Sequence, residues 1–118
     1  MSQTFGKKEK LKSRKHIAQL FEEGKAVTKF PIKLLYLPLG TLENHQATFA
    51  VPKKKFKSAV DRNRIKRQLR EAYRLQKKHL HVTEETNFAL LFLFLGKKKP
   101  TYEQLESCVA ELLKKMSK

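Results

Sequence analysis

Hydrophobic positions recur along this chain with different periods, and each period predicts an element. Ile17, Leu20 and Phe21 fall at helical spacing behind Ser13, which can cap a helix starting near Arg14, and Gly24 supplies its stop. Two short apolar segments follow, Ile32 to Leu37 and Ala47 to Val51, separated by Gly40, Asn44 and His45; they read as two strands joined by a loop. Val27 to Phe30 either extends the first strand or forms another. Phe88 to Leu95 is apolar at every position without alternation, so it suits a strand buried on both faces at the centre of a sheet. Beyond Gly96 and Pro100, Thr101 is a cap with Gln104 three residues on, and Leu105, Val109, Leu112 and Leu113 form the inner face of a last helix.

Between the second strand and the apolar run lies a segment with two opposed faces. From about Ser58 or Ala59 to about His79 the chain has neither Gly nor Pro. At about 100° per residue, Ile65, Leu69, Ala72 and Tyr73 share one sector, while Asn63, Arg64, Lys66, Arg67, Arg70, Arg74, Lys77 and Lys78 occupy the rest. Arg62 falls toward the apolar side, but in the first turn, where a long side chain reaches past the end of the core. Such a helix docks on a core and presents cations to solvent. The predicted order is α, two or three β, α, β, α, an α+β fold.

Length changes the picture only by bounding it: 118 residues with 40% hydrophobic content suffice for one compact domain and not for two. Charge changes it more. The net charge of +16 is concentrated in two places. Pro52 to Lys78 holds twelve Lys or Arg against Asp61 and Glu71, a net of +10, and the first sixteen residues add +5. A solvated charged stripe needs local counterions, and two acidic groups cannot neutralise twelve cations. Arg outnumbers Lys from Arg62 to Arg74, and its planar fork suits phosphate oxygens and base edges. This is the footprint of a nucleic-acid binder with salt-sensitive affinity. Residues 1–10 are basic and expected to be disordered.

Other chemistries find little support. Cys108 is the only cysteine, which rules out an internal disulfide and a multi-cysteine zinc site and fits a reducing compartment. His16, His45, His79 and His81 are scattered, and the spacing of the last two resembles no ligand pair, so no metal site is expected. Glu22, Glu23, Glu84, Glu85, Glu103, Glu106 and Glu111 have ordinary surface or helix-end explanations, and neither a Gly-rich phosphate loop nor a nucleophile elbow is present. No catalytic residue is therefore assigned. The N-terminus lacks an apolar signal region, and the longest apolar run is far below the roughly 20 residues that span a bilayer. A cytoplasmic protein without a membrane role or an obligate protein partner is expected.

Phe21 and Tyr36, taken alone, are core aromatics. A sheet flanked by a helix can also leave a groove where such rings stack unpaired bases.

The stretch Val51-Pro52-Lys53-Lys54-Lys55-Phe56-Lys57-Ser58-Ala59-Val60-Asp61-Arg62-Asn63-Arg64-Ile65-Lys66-Arg67-Gln68-Leu69-Arg70-Glu71-Ala72-Tyr73-Arg74 resembles the signature of the bacterial ribonuclease P protein subunit. The Lys-Lys turn, the Ala-Val entry, the Arg-Asn-Arg motif and the Lys-Arg-x-x-Arg-Glu continuation carry the likeness, and the flanking elements agree in order over nearly the whole chain. The resemblance implies a single α+β domain of order α-β-β-β-α-β-α, like the second domain of ribosomal protein S5, with a left-handed β-α-β crossover; general topology rules alone favour the opposite hand. It also implies that catalysis belongs to a partner RNA, which removes the 5′ leader of precursor tRNA with Mg²⁺ held mainly by that RNA. By the same resemblance Arg62, Asn63, Arg64, Lys66, Arg67, Arg70 and Arg74 face the catalytic RNA. The leader lies in a groove between the first helix and the sheet, at Phe21, Tyr36, Lys53 and Lys54. The sequence departs from the family at Ile17, where many members carry an aromatic. It departs also at Lys55 to Ser58, one residue longer than a common version and without its turn glycine. The competing class is a non-enzymatic structural RNA binder, such as a ribosomal protein or RNA chaperone. A DNA-binding regulator ranks third, since no helix-turn-helix pair is visible.

Overall fold

The computed structural model describes residues 10–38, 45–76 and 87–116. Its elements are α1 (Arg14–Glu23), β1 (Lys25–Lys29), β2 (Ile32–Pro38), β3 (Gln46–Ala50), α2 (Ala59–Gln76), β4 (Phe88–Phe94) and α3 (Tyr102–Met116). Val27 therefore belongs to a separate strand, paired antiparallel with β2 so that Lys25 lies opposite Tyr36 and Lys29 opposite Ile32. The expected loop at residues 39–44, the helix end near His79, and Lys77, Lys78, His81, Glu84 and Glu85 lie outside the described residues. So does nearly all of the expected disorder at residues 1–10. Lys10 itself is ordered against the sheet, bridged to Ala47.

The strands run in the order β1-β2-β4-β3. β4 is antiparallel to β2 and parallel to β3, so the basic helix α2 is the crossover of a β-α-β unit whose strands are neighbours. A strand with a neighbour on each side and a layer on each face must be apolar throughout. Phe88–Phe94 meets that demand, with Leu93 its only residue not fully buried.

Alternation sorts the side chains into two cores. Ile32, Leu34, Ala47, Leu90, Phe92 and Phe94 meet α2 and α3 through Ile65, Leu69, Tyr73, Leu105, Val109 and Leu112. At the centre the Phe92 ring lies 5.5 Å from those of both Phe49 and Tyr73, and truncating such a ring to alanine costs about 3–5 kcal/mol. On the opposite face Leu35, Ala89 and Leu91 pack with Leu11 and Leu20, so α1 covers only part of that face.

The caps stand where the sequence places them. Ser13 Oγ accepts from the His16 amide at 3.3 Å, and Thr101 Oγ1 from the Gln104 amide at 3.2 Å. Gly24 ends α1 for a different reason than expected. Its φ is −67°, open to any residue, but a Cβ there would stand 2.4 Å from the Leu20 carbonyl oxygen.

Candidate nucleic-acid interface

Ser58 starts α2: its carbonyl accepts from the Arg62 amide at 3.1 Å, and its Oγ from the Asp61 amide at 3.4 Å. With Ile65, Leu69, Ala72 and Tyr73 turned into the core, the helix exposes Asn63, Arg64, Arg67 and Arg70 and half-exposes Lys66. Among the described residues none of these five has an internal hydrogen-bond or ion-pair partner. They are available to an external polyanion.

The other two predicted cations of the helix have partners inside the fold. Arg62 Nη1 donates to the carbonyl oxygens of Phe56 at 2.8 Å and Lys57 at 2.9 Å, which fixes the turn that delivers the helix. Arg74 Nε donates to Glu71 Oε1 at 3.0 Å, and this ion pair lowers the Glu71 carboxyl below its ordinary range. Asp61, the other acid of the segment, meets Lys99 at 3.1 Å.

Two lysines of the N-terminal cluster, far from the basic helix in sequence, meet it in space. The Leu11 amide donates to the Ala47 carbonyl at 2.9 Å, laying the N-terminal segment along the outer edge of β3. Lys10 and Lys12 then face Lys66 and Arg70 across a cleft of about 270 Å³ floored by Thr48 and Phe49. The sequence marks Lys10 and Lys12 within the N-terminal charge cluster and Lys66 and Arg70 within the helix, but does not join the two. Only the pairing of residue 10 with a later strand brings them together.

α1 leaves one row of its sheet face uncovered. Thr28, Lys33, Leu93 and Ala50 are successive cross-strand partners, and they point to the α1 side in step with Ala26, Leu35, Leu91 and Thr48. Leu35 and Leu91 are buried, whereas Lys33, Leu93 and Ala50 are half-buried and Thr28 is exposed. This row forms a shelf. Lys53 and Lys54 follow at its β3 end, both exposed, in a turn where the Lys55 and Phe56 amides donate to the Pro52 carbonyl. Lys55 is committed elsewhere, its Nζ 2.5 Å from the Leu95 carbonyl oxygen.

The predicted aromatic pair is divided. Phe21 on α1 is 64% exposed, too open for a core residue. Tyr36 does not share its face: it pairs with Leu90, packs against the α2–α3 core, and sets its ring edge-on to Phe88 at 6.1 Å. Successive strand residues point to opposite faces, and the residue on the α1 side is Leu35. The α1 side of the sheet therefore carries the shelf but not Tyr36, and Phe21 is an exposed ring on the helix that flanks that side.

Cys108 is a core residue. Its thiol lies 3.6 Å from the Phe30 carbonyl oxygen, and burial pushes its pKa up. Among the described residues no group of three or more His, Cys, Asp or Glu side chains comes together, and no helix is long and apolar enough to cross a membrane.

A small α+β scaffold with a cationic face that has no acidic partners among the described residues, built from a crossover helix and an N-terminal strap, has the form of a polyanion-binding protein. Comparison with known proteins makes this specific. The Ribonuclease P family profile matches residues 5–117. The ribonuclease P protein component of Porphyromonas gingivalis ATCC 33277 is 37% identical, over 93% of this chain and 85% of its own length. The crystallised RNase P protein of Staphylococcus aureus superposes with a TM-score of 0.77 at 20% identity, covering 92% of this chain and 94% of that one. The RNase P protein of Thermotoga maritima does so with 0.74 at 21%, covering 91% and 96%. The chain belongs to the ribonuclease P protein family. The reading as a structural RNA binder of another kind gives way to it.

Proposed function

We propose that this chain, as a ribonuclease P protein component, binds a catalytic RNA through α2 and the N-terminal strap and holds the single-stranded 5′ leader of precursor tRNA on the shelf beside α1. The convergence of Lys10, Lys12, Lys66 and Arg70 on one cleft carries this reading. Cations clustered without internal counterions repel one another, and a phosphate backbone relieves that repulsion while releasing its own condensed ions. Asn63, Arg64 and Arg67 extend the same surface.

The shelf suits a different kind of RNA. Half-buried Leu93 and Ala50 offer apolar contact to unpaired bases, Phe21 offers a ring, and Lys33, Lys53 and Lys54 offer charge to the backbone. Binding both RNAs holds the leader junction near the catalytic RNA, which lowers the entropic cost of the encounter.

Mg²⁺ bound to the RNA supplies the hydrolytic chemistry of leader removal, in the bacterial cytoplasm. Among the described residues the donors do not fit a metal site: no three His, Cys, Asp or Glu side chains come together, and of the two acids in the basic segment Asp61 is paired with Lys99 and Glu71 with Arg74. No hydrolytic step is assigned to its side chains. Their part is to bind, to orient and to neutralise phosphate charge.

Photo-crosslinking tests the two-site reading, because buried Cys108 leaves engineered surface thiols as the reactive ones. In the assembled complex with precursor tRNA, a thiol-linked aryl azide at Arg67→Cys should crosslink to the catalytic RNA, and one at Phe21→Cys to the leader. Crosslinks of both probes to the same RNA contradict the division.

A further inference from the structure

Lys33 is the only charged member of the shelf row, set between Thr28 on β1 and Leu93 on β4, with Ala50 beyond. It is half-buried, and among the described residues its ammonium has neither a hydrogen-bond nor an ion-pair partner. Two lysines close by in the fold are engaged: Lys29 meets Glu111 at 3.5 Å, and Lys115 Nζ donates to the Thr28 carbonyl at 3.2 Å. A polar group at the level of an apolar surface usually finds a partner. This one is left as an open donor on the α1 side of the sheet.

Lys33 shares the sign of Lys53 and Lys54 but not their position. Neighbouring strands lie about 4.8 Å apart, so Lys33 stands two strands, about 10 Å, from β3, at whose end exposed Lys53 and Lys54 follow. A single strand that rests its bases on Leu93 and Ala50 sets their edges level with the half-buried ammonium. Covering that ammonium strips its water, so whatever covers it must return acceptors. Guanine returns two, O6 and N7 side by side on one edge, the pair that a lysine takes. Adenine puts its N6 amino group in place of O6, and donor then faces donor.

We propose that Lys33 is a specificity-determining residue of the shelf, donating from Nζ to O6 and N7 of a guanine in the bound single strand and so favouring guanine over adenine at one position. The proposal rests on the single-strand reading of the shelf and adds base selection to it. Lys53 and Lys54 attract phosphate whatever the sequence, Leu93 and Ala50 accept any base, and Lys33 selects one.

The test is equilibrium binding of the full chain and its variants, at fixed salt, to 5′-fluorescein oligouridylates of about eight nucleotides. Each carries one guanosine, inosine, adenosine or 7-deazaguanosine, at a position moved along the strand. At one position guanosine and inosine, which share O6 and N7, should bind about fivefold or more tighter than adenosine, the least that one bidentate pair supplies. There 7-deazaguanosine, which lacks N7, should fall between them. Lys33→Met keeps the stem over the shelf and removes the donor, so it should bring guanosine and inosine down to adenosine. Lys53→Met should weaken all the oligomers alike and keep the preference. Matched unfolding temperatures confirm that the variants fold. If Lys33→Met weakens every oligomer equally, Lys33 selects no base and the proposal is overturned. A guanine preference absent from the parent, or one that survives Lys33→Met, overturns it as well, and the shelf then stands if Phe21→Ala still weakens binding. If Phe21→Ala changes nothing either, the single-strand reading falls with it.

Discussion

Arg62 and Phe56 are joined across the start of the basic helix, the guanidinium donating from Nη1 to the Phe56 carbonyl oxygen at 2.8 Å. The same nitrogen reaches the Lys57 carbonyl at 2.9 Å, while the Phe56 ring is buried against Phe94, 5.8 Å between centroids. The first arginine of the Arg-Asn-Arg motif thus holds together the turn on which the motif is mounted. Arg62→Ala should lower stability by about 1–3 kcal/mol, the cost of losing hydrogen bonds from a charged donor. Arg64→Ala, on the solvent side, should leave the unfolding temperature unchanged and weaken RNA binding. Thermal unfolding and RNA affinity of both variants check this; equal melting temperatures would remove the structural role of Arg62.

Phe21 and Tyr36 should separate in the same way. Tyr36→Leu keeps apolar contact with Phe88 on the α2–α3 side, so oligonucleotide affinity should stay within about twofold of the parent. Phe21→Ala removes one stacking ring and should weaken single-strand binding by about 1–3 kcal/mol with no change in melting temperature. Loss of single-strand binding in Tyr36→Leu, with Phe21→Ala unaffected, would reverse the assignment of faces.

What the sequence makes legible follows from how local each signal is. The caps Ser13 and Thr101, the doubly buried strand at Phe88 and the two faces of α2 are written within a few residues, and the structure bears them out. Signals that need an exact offset or a distant partner are not. Tyr36 lies one residue from Leu35, and in a strand one residue exchanges faces. The partners of Arg62 and Lys55 are backbone carbonyls, which carry no side-chain pattern. The shelf of Lys33, Leu93 and Ala50 exists only once three strands are in register, and Lys10 and Lys12 join the cleft only through the edge of β3.

Glu71 subtracts from the cationic face by engaging Arg74. The hydrogen bond from Arg74 lowers the folded-state pKa of Glu71. A lowered carboxyl contributes stability that is present above its unfolded pKa and lost as pH falls through the folded one. Glu71→Gln should therefore flatten the acid limb of the stability curve slightly. It should also free Arg74 for phosphate, steepening the salt dependence of RNA binding by about one unit in log–log slope. An unchanged or shallower slope would show that Arg74 does not reach the RNA.

Burial raises the Cys108 thiol pKa, so the reactive thiolate is scarce in the folded chain near neutral pH. Its reaction with a disulfide reagent at pH 8 should be about tenfold slower or more in the native protein than in denaturant. Equal rates would contradict its place between α3 and the Phe30 turn.

Cleavage of a 5′-extended precursor tRNA at low Mg²⁺ tests the functional claim most directly, with this chain alone, the cognate ribonuclease P RNA alone, and the two mixed. The predicted result is efficient cleavage at the mature 5′ end by the mixture only, reduced when Arg64, Arg67 and Arg70 are replaced together by alanine. Cleavage by the chain alone, or an RNA activity that the chain leaves unchanged, would contradict the account.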